Sequence, residues 1–131
     1  MMADLGYPLT TDQLRQRLRE IRAEKDNTVL VARLDGIAVG LIHVARLVSL
    51  VAEPRAEIRA LVVDESVRGK GIGKQLIGAA ESWASDHGMK KLRLGTRIHR
   101  LEAHAFYEHL GFSLAKEHKI YEKPVGLAES A

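Results

Sequence analysis

The sequence predicts a mixed α/β fold in which helices pack around one sheet. Three observations support this prediction. Segments with helical spacing alternate with segments rich in Val, Ile and Leu, an Asp-Gly pair joins two of these apolar segments, and a glycine-rich loop leads from a strand into a helix. The 131 residues, 46% hydrophobic and 28% charged, are enough for a single domain, whose core we expect over residues 10–123.

Composition limits the classes of partner and compartment. Twenty Lys and Arg against seventeen Asp and Glu give a net charge of +3, too small an excess to indicate nucleic acid. The chain has no cysteine, which excludes thiolate nucleophiles and sulfur-ligated zinc and favours a reducing compartment. No apolar stretch is long enough to cross a bilayer, and residues 1–7 do not have the pattern of a signal peptide. We therefore expect a cytoplasmic protein with no nucleic-acid or membrane partner.

The first predicted element is an amphipathic helix over residues 11–24. Thr10 and Gln13 have the spacing of a capping box, which marks the start of a helix. Apolar residues then recur at helical spacing and predict one buried stripe, which consists of Leu14, Leu18 and Ile21.

Strands are expected over residues 28–34 and 37–48, and the Asp35-Gly36 pair between them predicts an antiparallel hairpin. A third strand is expected over residues 56–63. The remaining elements, in chain order, are a helix over residues 74–87 that ends at Gly88, a strand over 91–96, a short helix that ends at Gly111, and two closing strands over 112–115 and 119–122.

The glycine loop is the most specific feature of the sequence. It runs from Arg68 to Gly73 between a strand and a helix, where glycines let the backbone approach a ligand and direct N–H groups at an anion. The dinucleotide fingerprint needs glycine at Lys74, and the Walker loop needs Ser or Thr at Gln75, so neither pattern fits. A diphosphate beside the helix dipole is the favoured interpretation, and a glycine turn without a ligand is the alternative.

Two blocks of the sequence occur in a characteristic order. The first is Arg68-Gly69-Lys70-Gly71-Ile72-Gly73, preceded by an apolar strand over residues 57–63. The second is the segment AHAFYEHLGF over residues 103–112. Together they resemble the pyrophosphate signature, the central strand and a later helix of the GNAT superfamily of acetyl-CoA-dependent N-acetyltransferases. The resemblance covers residues 28–123 and implies a mixed, mostly antiparallel sheet flanked by helices, with acetyl-CoA as cosubstrate.

The resemblance also implies which residues contact acetyl-CoA. Backbone groups at the end of the central strand line the pantetheine arm, the loop holds the diphosphate, and the later helix supplies further contacts. Arg100 departs from the family pattern, because many members have asparagine there. The implied contacts are Leu61, Val62, Val63, Arg68, Gly69, Lys70, Gly71, Ile72, Gly73, Lys74, Arg100, Ala103 and Phe106.

Acetyl transfer to an amine needs one group that accepts a proton and one that stabilises the leaving thiolate. Glu57 lies on the strand where some family members place their base, but an ion pair with Arg59 is an equally good interpretation. The resemblance places Tyr107 at the thioester sulfur, where a phenol can donate a hydrogen bond to the thiolate. Ordinary aromatic packing beside Phe106 is the alternative for Tyr107.

The histidines do not predict a metal site. No pair of them has the four-residue helical spacing with an intervening acid that a zinc protease uses, and we expect no metal. His43, in an apolar strand, is interpreted as a hydrogen-bonded structural residue in preference to one that faces the acceptor. Trp83, at helical spacing, is interpreted as a core residue.

The expected function is direct transfer of an acetyl group from acetyl-CoA to a primary amine, with a small molecule as acceptor. The absence of cysteine argues against a covalent enzyme intermediate. Two alternatives are a CoA-binding regulatory module without turnover and a protein or peptide N-acetyltransferase. A nucleic-acid binder is disfavoured, because 5% aromatic residues offer few stacking surfaces.

A homodimer is also expected. Family members usually have a strand and a helix ahead of the segment that resembles residues 5–8, and the predicted fold lacks both. That strand pairs with the one that corresponds to residues 28–34, so its absence leaves backbone groups on an edge that a second chain can cover.

Overall fold

The computed structural model describes residues 10–95 and 101–126. Its elements in chain order are α1 (Thr11–Ala23), β1 (Asn27–Leu34), β2 (Ile37–Leu47), β3 (Arg55–Val63), a 3-10 turn (Glu65–Val67), α2 (Ile72–Asp86), β4 (Leu92–Leu94) and α3 (Leu101–His109). The chain divides into two compact units. The first, Met1–Gly95, contains the sheet with α1 and α2, and the second, Thr96–Ala131, contains α3.

The sheet of the first unit has four strands in the order β1-β2-β3-β4. β1, β2 and β3 are antiparallel, whereas β4 is parallel to β3. Asp35 and Gly36 connect β1 to β2 with φ angles of 53° and 80°, the left-handed values that a two-residue hairpin turn requires. The predicted fold class, a mostly antiparallel mixed sheet flanked by helices, is confirmed.

α1 starts as the sequence predicts. The Thr10 hydroxyl accepts from the backbone N–H of Gln13, and the Gln13 side chain accepts from the backbone N–H of Thr10, both at 3.0 Å. The prediction of a buried stripe is wrong, because no residue of α1 is buried. α1 packs on β1, an edge strand of the sheet in this unit. This contact covers the apolar side chains of α1 only in part.

The core lies between α2 and one face of the sheet. Ile42 and Val44 on β2 and Ile77 on α2 are fully buried. The helix packs closely on the sheet at Gly40, where an added Cβ would lie 3.0 Å from Leu76 Cδ1 and 3.1 Å from a β3 carbonyl oxygen. Glycine at this position therefore lets the helix rest on the strand.

The interpretation of Trp83, near the C-terminal end of α2, as a core residue is wrong. Trp83 is half-buried and does not belong to the core. Its ring stacks on His87 with centroids 4.5 Å apart, and the His87 Nδ1 lies 2.7 Å from the Trp83 carbonyl oxygen. Gly88, with φ of 77°, ends the helix as predicted. No helix within residues 10–95 and 101–126 is long and apolar enough to span a membrane.

The second unit consists of α3 followed by irregular chain. α3 ends before Gly111, whose φ of 96° reverses the backbone as predicted. The expected closing strands over residues 112–115 and 119–122 are wrong, since residues 112–126 contain no strand. Their apolar side chains Leu114, Ile120 and Tyr121 are exposed, so no buried face holds the alternating pattern in a ladder.

Substitution of Gly40 tests the contact between α2 and the sheet. Gly40→Ala is expected to lower the free energy of unfolding by about 1–3 kcal/mol, because the new methyl overlaps Leu76 and a backbone oxygen. Gly78→Ala is the matched control, since its Cβ meets nothing within 4 Å and alanine favours a helix. Urea unfolding of both variants measures the difference, and equal stability of the two would contradict the close packing.

Candidate active site

The segment that follows β3 is held in a fixed conformation by a short turn. The Asp64 carboxylate accepts from the backbone N–H of Ser66 at 3.0 Å and from its hydroxyl at 2.9 Å. These two hydrogen bonds, the backbone one first, hold the pKa of Asp64 below its usual value. Asp64 also donates its own N–H to the Val39 carbonyl at 2.7 Å, which ties the start of the loop to β2.

The glycine loop lies between two buried anchors. Val67 before it and Ile72 after it are both buried, while Gly69 and Gly71 are exposed. Both glycines have left-handed φ angles, 86° and 79°, in which a side chain is strained. An added Cβ at either position would meet no heavy atom within 4 Å, so the backbone angle, and not crowding, requires glycine here.

The N-terminus of α2 is arranged to receive an anion. Gly71 is the N-cap and provides no side-chain hydrogen bond, and the first helical bond runs from the Gln75 N–H to the Gly71 carbonyl at 3.0 Å. The N–H groups of Ile72, Gly73 and Lys74 therefore have no acceptor within the helix. The first turn contains no acid. An anion at this end gains from both the free donors and the helix dipole.

Cations add to this arrangement. Lys70 and Lys74 are exposed on either side of the N-cap. Arg68 lies 3.8 Å from Glu65 across an exposed ion pair. The loop and the first turn of α2 thus fit the diphosphate of a CoA-type molecule, which is the chemistry that the sequence predicts for them.

β3 has an open edge that leads into the glycine loop. β4 pairs with β3 only from Ala56 to Ile58, although β3 continues to Val63. The registers on the other side, Val44 with Ile58 and His43 with Ala60, leave Arg59 as the extra residue of a β-bulge. In the described part of the chain, backbone groups of residues 59–63 on this edge have no strand partner. An extended amide-containing arm can hydrogen-bond there.

The bulge and the opening are features that the sequence analysis missed. Leu61 and Val63 are half-buried and Val62 is buried, as expected for a central strand. No glycine or proline marks Arg59 as a bulge, so composition contains no signal for it. The short pairing of β4 could have been suspected, because Gly95 interrupts the predicted strand after Leu94.

Glu57 lies on the sheet face opposite to α2, next to the start of the open edge. Its Oε2 is 3.5 Å from Nη1 of Arg59, and 20% of the Glu57 side chain is exposed. The ion pair between Glu57 and Arg59, which is the alternative to a catalytic role for Glu57, is therefore present. On the same face, His43 Nε2 lies 2.8 Å from Asn27 Oδ1, and burial and then the charge of Arg59 lower the pKa of His43. The interpretation of His43 as a hydrogen-bonded residue agrees with this contact.

The other residues that the family resemblance implies for the site lie in the second unit. Tyr107 is half-buried on α3, with Phe106 and Phe112 at ring-centroid distances of 5.4 and 5.9 Å in edge-to-face arrangements. The Phe112 N–H donates to the Tyr107 carbonyl at 3.1 Å. Ala103 is half-buried on the same helix, and Arg100 is outside the described residues.

Comparison with known proteins identifies the family. Residues 2–112 match the Acetyltransferase (GNAT) family. The chain belongs to the GNAT family. It is an acetyl-CoA-dependent N-acetyltransferase, in agreement with the geometry of the glycine loop.

Three similar proteins illustrate the range of this GNAT chain's relatives. The uncharacterized N-acetyltransferase YhdJ of Bacillus subtilis is 31% identical over 127 residues, which are 95% of this chain and 87% of YhdJ. The structure of a transcriptional regulator from Bacillus halodurans has a TM-score of 0.78 at 31% identity, over 88% and 78% of the two chains. An aminoglycoside N-acetyltransferase, AAC(6')-Iy, in complex with CoA, has a TM-score of 0.77 at 24% identity, over 86% and 89%.

The other described parts of this GNAT chain show fewer features of a ligand-binding site. Within residues 10–95 and 101–126, no three His, Asp or Glu side chains lie together as a metal site. Two shallow concavities of about 550 and 220 Å³ are lined by exposed residues of α1 and by the surroundings of His87. Neither includes a residue of the glycine loop.

Substitution of Gly71 tests whether an anion binds at the N-terminus of α2. Asp and Asn have similar size and both tolerate left-handed φ, so Gly71→Asp and Gly71→Asn differ mainly in charge. Gly71→Asp is expected to weaken acetyl-CoA binding about tenfold more than Gly71→Asn, because a carboxylate beside the diphosphate repels it. Calorimetric titration measures both affinities, and equal affinities would show that the diphosphate binds elsewhere.

Proposed function

We propose that this GNAT enzyme transfers the acetyl group of acetyl-CoA directly to the primary amine of a small molecule. One observation supports this most strongly. The open edge of β3 is followed, after the 3-10 turn, by the glycine loop and by a helix N-terminus that has no side-chain cap. An extended arm and a diphosphate can therefore bind in one continuous line. Bound there, acetyl-CoA supplies an activated acyl group at the β-bulge.

Glu57 is proposed as the group that removes the proton from the amine. A primary amine with a pKa near ~10.4 is almost fully protonated at neutral pH and cannot attack a thioester in that form. The carboxylate of Glu57 lies at the start of the open edge, is accessible, and among the described residues has one loose ion pair, at 3.5 Å. It can bind the ammonium and accept its proton directly or through water.

Tyr107 is proposed as the group that stabilises the leaving thiolate. This role comes from the match between residues 103–112 and the family helix. The aromatic contacts of Tyr107 with Phe106 and Phe112 fix the plane of its ring. A fixed phenol can donate a hydrogen bond to sulfur while the bond between the acyl carbon and sulfur breaks and the amide forms.

The pH dependence of Glu57→Gln tests the base. The variant is expected to lose about 10-fold to 100-fold in kcat/KM at pH 7, and the loss should shrink toward pH 10, where the amine is neutral unaided. Glu81→Gln, at an exposed position on α2, is the matched control. Steady-state rates across this pH range measure the effect. A loss that stays constant with pH would assign Glu57 to the ion pair with Arg59 alone.

Substitution of Tyr107 tests the acid. Tyr107→Phe is expected to lower kcat by about 10² to 10⁴, with acetyl-CoA affinity within a few-fold of the original. Tyr121→Phe, at an exposed position of the same unit, is the control. Wild-type kcat in Tyr107→Phe would leave Tyr107 with its packing role only.

The experiment that decides between turnover and regulation is CoA release from acetyl-CoA in the presence of a panel of amines. The name of the transcriptional regulator from Bacillus halodurans keeps a CoA-binding module as the second candidate. Release with a small amine supports the proposed function. Tight acetyl-CoA binding without release for any amine or peptide would support the regulatory module instead.

Two further proposals concern the state of the protein in the cell. We propose a homodimer, supported by the partly exposed apolar side chains Val31 and Leu34 on the edge strand β1. Light scattering over a dilution series checks it, and a monomer at all concentrations would contradict it. A cytoplasmic location is proposed from the absence of cysteine, and fractionation that places the protein outside the cytoplasm would contradict it.

A further inference from the structure

Three arginines share the sheet face of Glu57, away from α2. Arg55 and Arg59 lie two residues before and two residues after it on β3. Arg93 is its register partner on the parallel strand β4. Strand alternation places Arg55 and Arg93 on the face of Glu57. Among the described strand residues of this face, Glu57 is the one acid.

Strand alternation also places Arg59, two residues after Glu57, on this face. Its guanidinium lies 3.5 Å from the Glu57 carboxylate. Half of the Arg59 side chain, 51%, is exposed. Ion pairs of this length and exposure contribute little to stability. A ligand with both charges can therefore replace the contact between the two side chains at little cost.

Arg93 and Arg55 have charge available for a ligand. Neither has a carboxylate within 4.0 Å in the described part of the chain. The Nε of Arg55 is buried and has no hydrogen-bond acceptor among the described residues. Buried donors are nearly always satisfied in proteins. An anion at this face would supply acceptors that the protein itself does not.

His43 does not change this charge pattern. It lies opposite Ala60 on the same face and contacts Asn27 through its ring. Burial and the charge of Arg59 lower its pKa, so the ring is neutral at pH 7. Among the described strand residues next to Glu57, the charged groups of this face are therefore one carboxylate and three guanidinium groups.

We propose that the acceptor amine carries an anionic oxyacid group, a carboxylate or a phosphonate, a short spacer away from its nitrogen. The proposal rests on the proposed function, in which Glu57 binds the ammonium. Glu57 and Arg59 present opposite charges 3.5 Å apart. A zwitterion has an ammonium that is complementary to Glu57 and an anion that is complementary to Arg59. It can therefore pair with both, its anion lying between Arg59 and Arg93. A polycationic amine would meet the three arginines and be repelled.

A panel of matched amines tests the proposal. β-Alanine and 2-aminoethylphosphonate carry the two kinds of anion, 3-aminopropanamide is the neutral analogue, and 1,3-diaminopropane is the cationic one. We expect kcat/KM to be about 10-fold to 100-fold higher for at least one anionic amine than for the neutral amide. The better of the two anionic amines identifies the oxyacid. Equal rates for the amide and both anionic amines, or a preference for the diamine, would overturn the proposal.

Arginine variants locate the selectivity. Arg59→Gln is expected to raise KM for the preferred anionic amine about tenfold with little change for the neutral amide, and Arg59→Lys to restore part of the difference. Arg33→Gln, at an exposed position on β1, is the matched control and is expected to keep the selectivity of the original. A merely structural role for Arg59 would reduce activity with both amines equally, and that result would contradict the proposal.

Binding separates a failure of this proposal from a failure of the proposed function. If no amine releases CoA, the proposed function is wrong. Calorimetric titration of β-alanine and 2-aminoethylphosphonate into the CoA-saturated protein then still tests the site. Binding that is lost in Arg59→Gln supports an anion site beside Glu57, and absence of binding for both compounds overturns it. Release of CoA with the diamine alone leaves the function standing and removes the zwitterionic acceptor.

Discussion

Hydrogen bonding between β3 and β4 ends at Ile58, while β3 itself continues to Val63. The bulge at Arg59 falls immediately after this last paired residue. Because backbone groups must find partners, the opened edge is a place where an extended ligand can add its own amides. Arg59 also forms the ion pair with Glu57, so the open edge begins beside these two charged side chains.

The position of the anion site follows from packing in the core. α2 lies directly on β2 at Gly40, and Val67 and Ile72 anchor the two ends of the loop that joins β3 to α2. This packing fixes the N-terminus of α2 beside the end of β3. Left-handed glycines then complete the loop without a side-chain cap, so its free N–H groups face outward.

Local rules were sufficient for much of this fold. The capping box at Thr10, the hairpin at Asp35-Gly36 and the glycine loop all depend on interactions within a few residues, and each formed as predicted. The family membership of the chain followed from the loop and the second block together.

The features that could not be predicted depend on distant partners. The bulge at Arg59 results from register against β2, and nothing in the local sequence marks it. The chain over residues 112–126 has alternation but no ladder in its own unit, and Trp83 has helical spacing but stacks on His87 at the surface. The placement of Arg93 beside Glu57 depends on the parallel register with β4, in which the two residues are partners.

Backbone amide chemical shifts during titration with acetyl-CoA test the central claim most directly, because they report on each N–H group separately. We predict that the largest changes occur at two places. One is the loop and first helical turn, from Gly69 to Lys74, and the other is the open edge of β3 over residues 59–63. Changes confined to other parts of the chain, or changes at the loop without any at the β3 edge, would contradict an acetyl-CoA site that extends from the bulge to the N-terminus of α2.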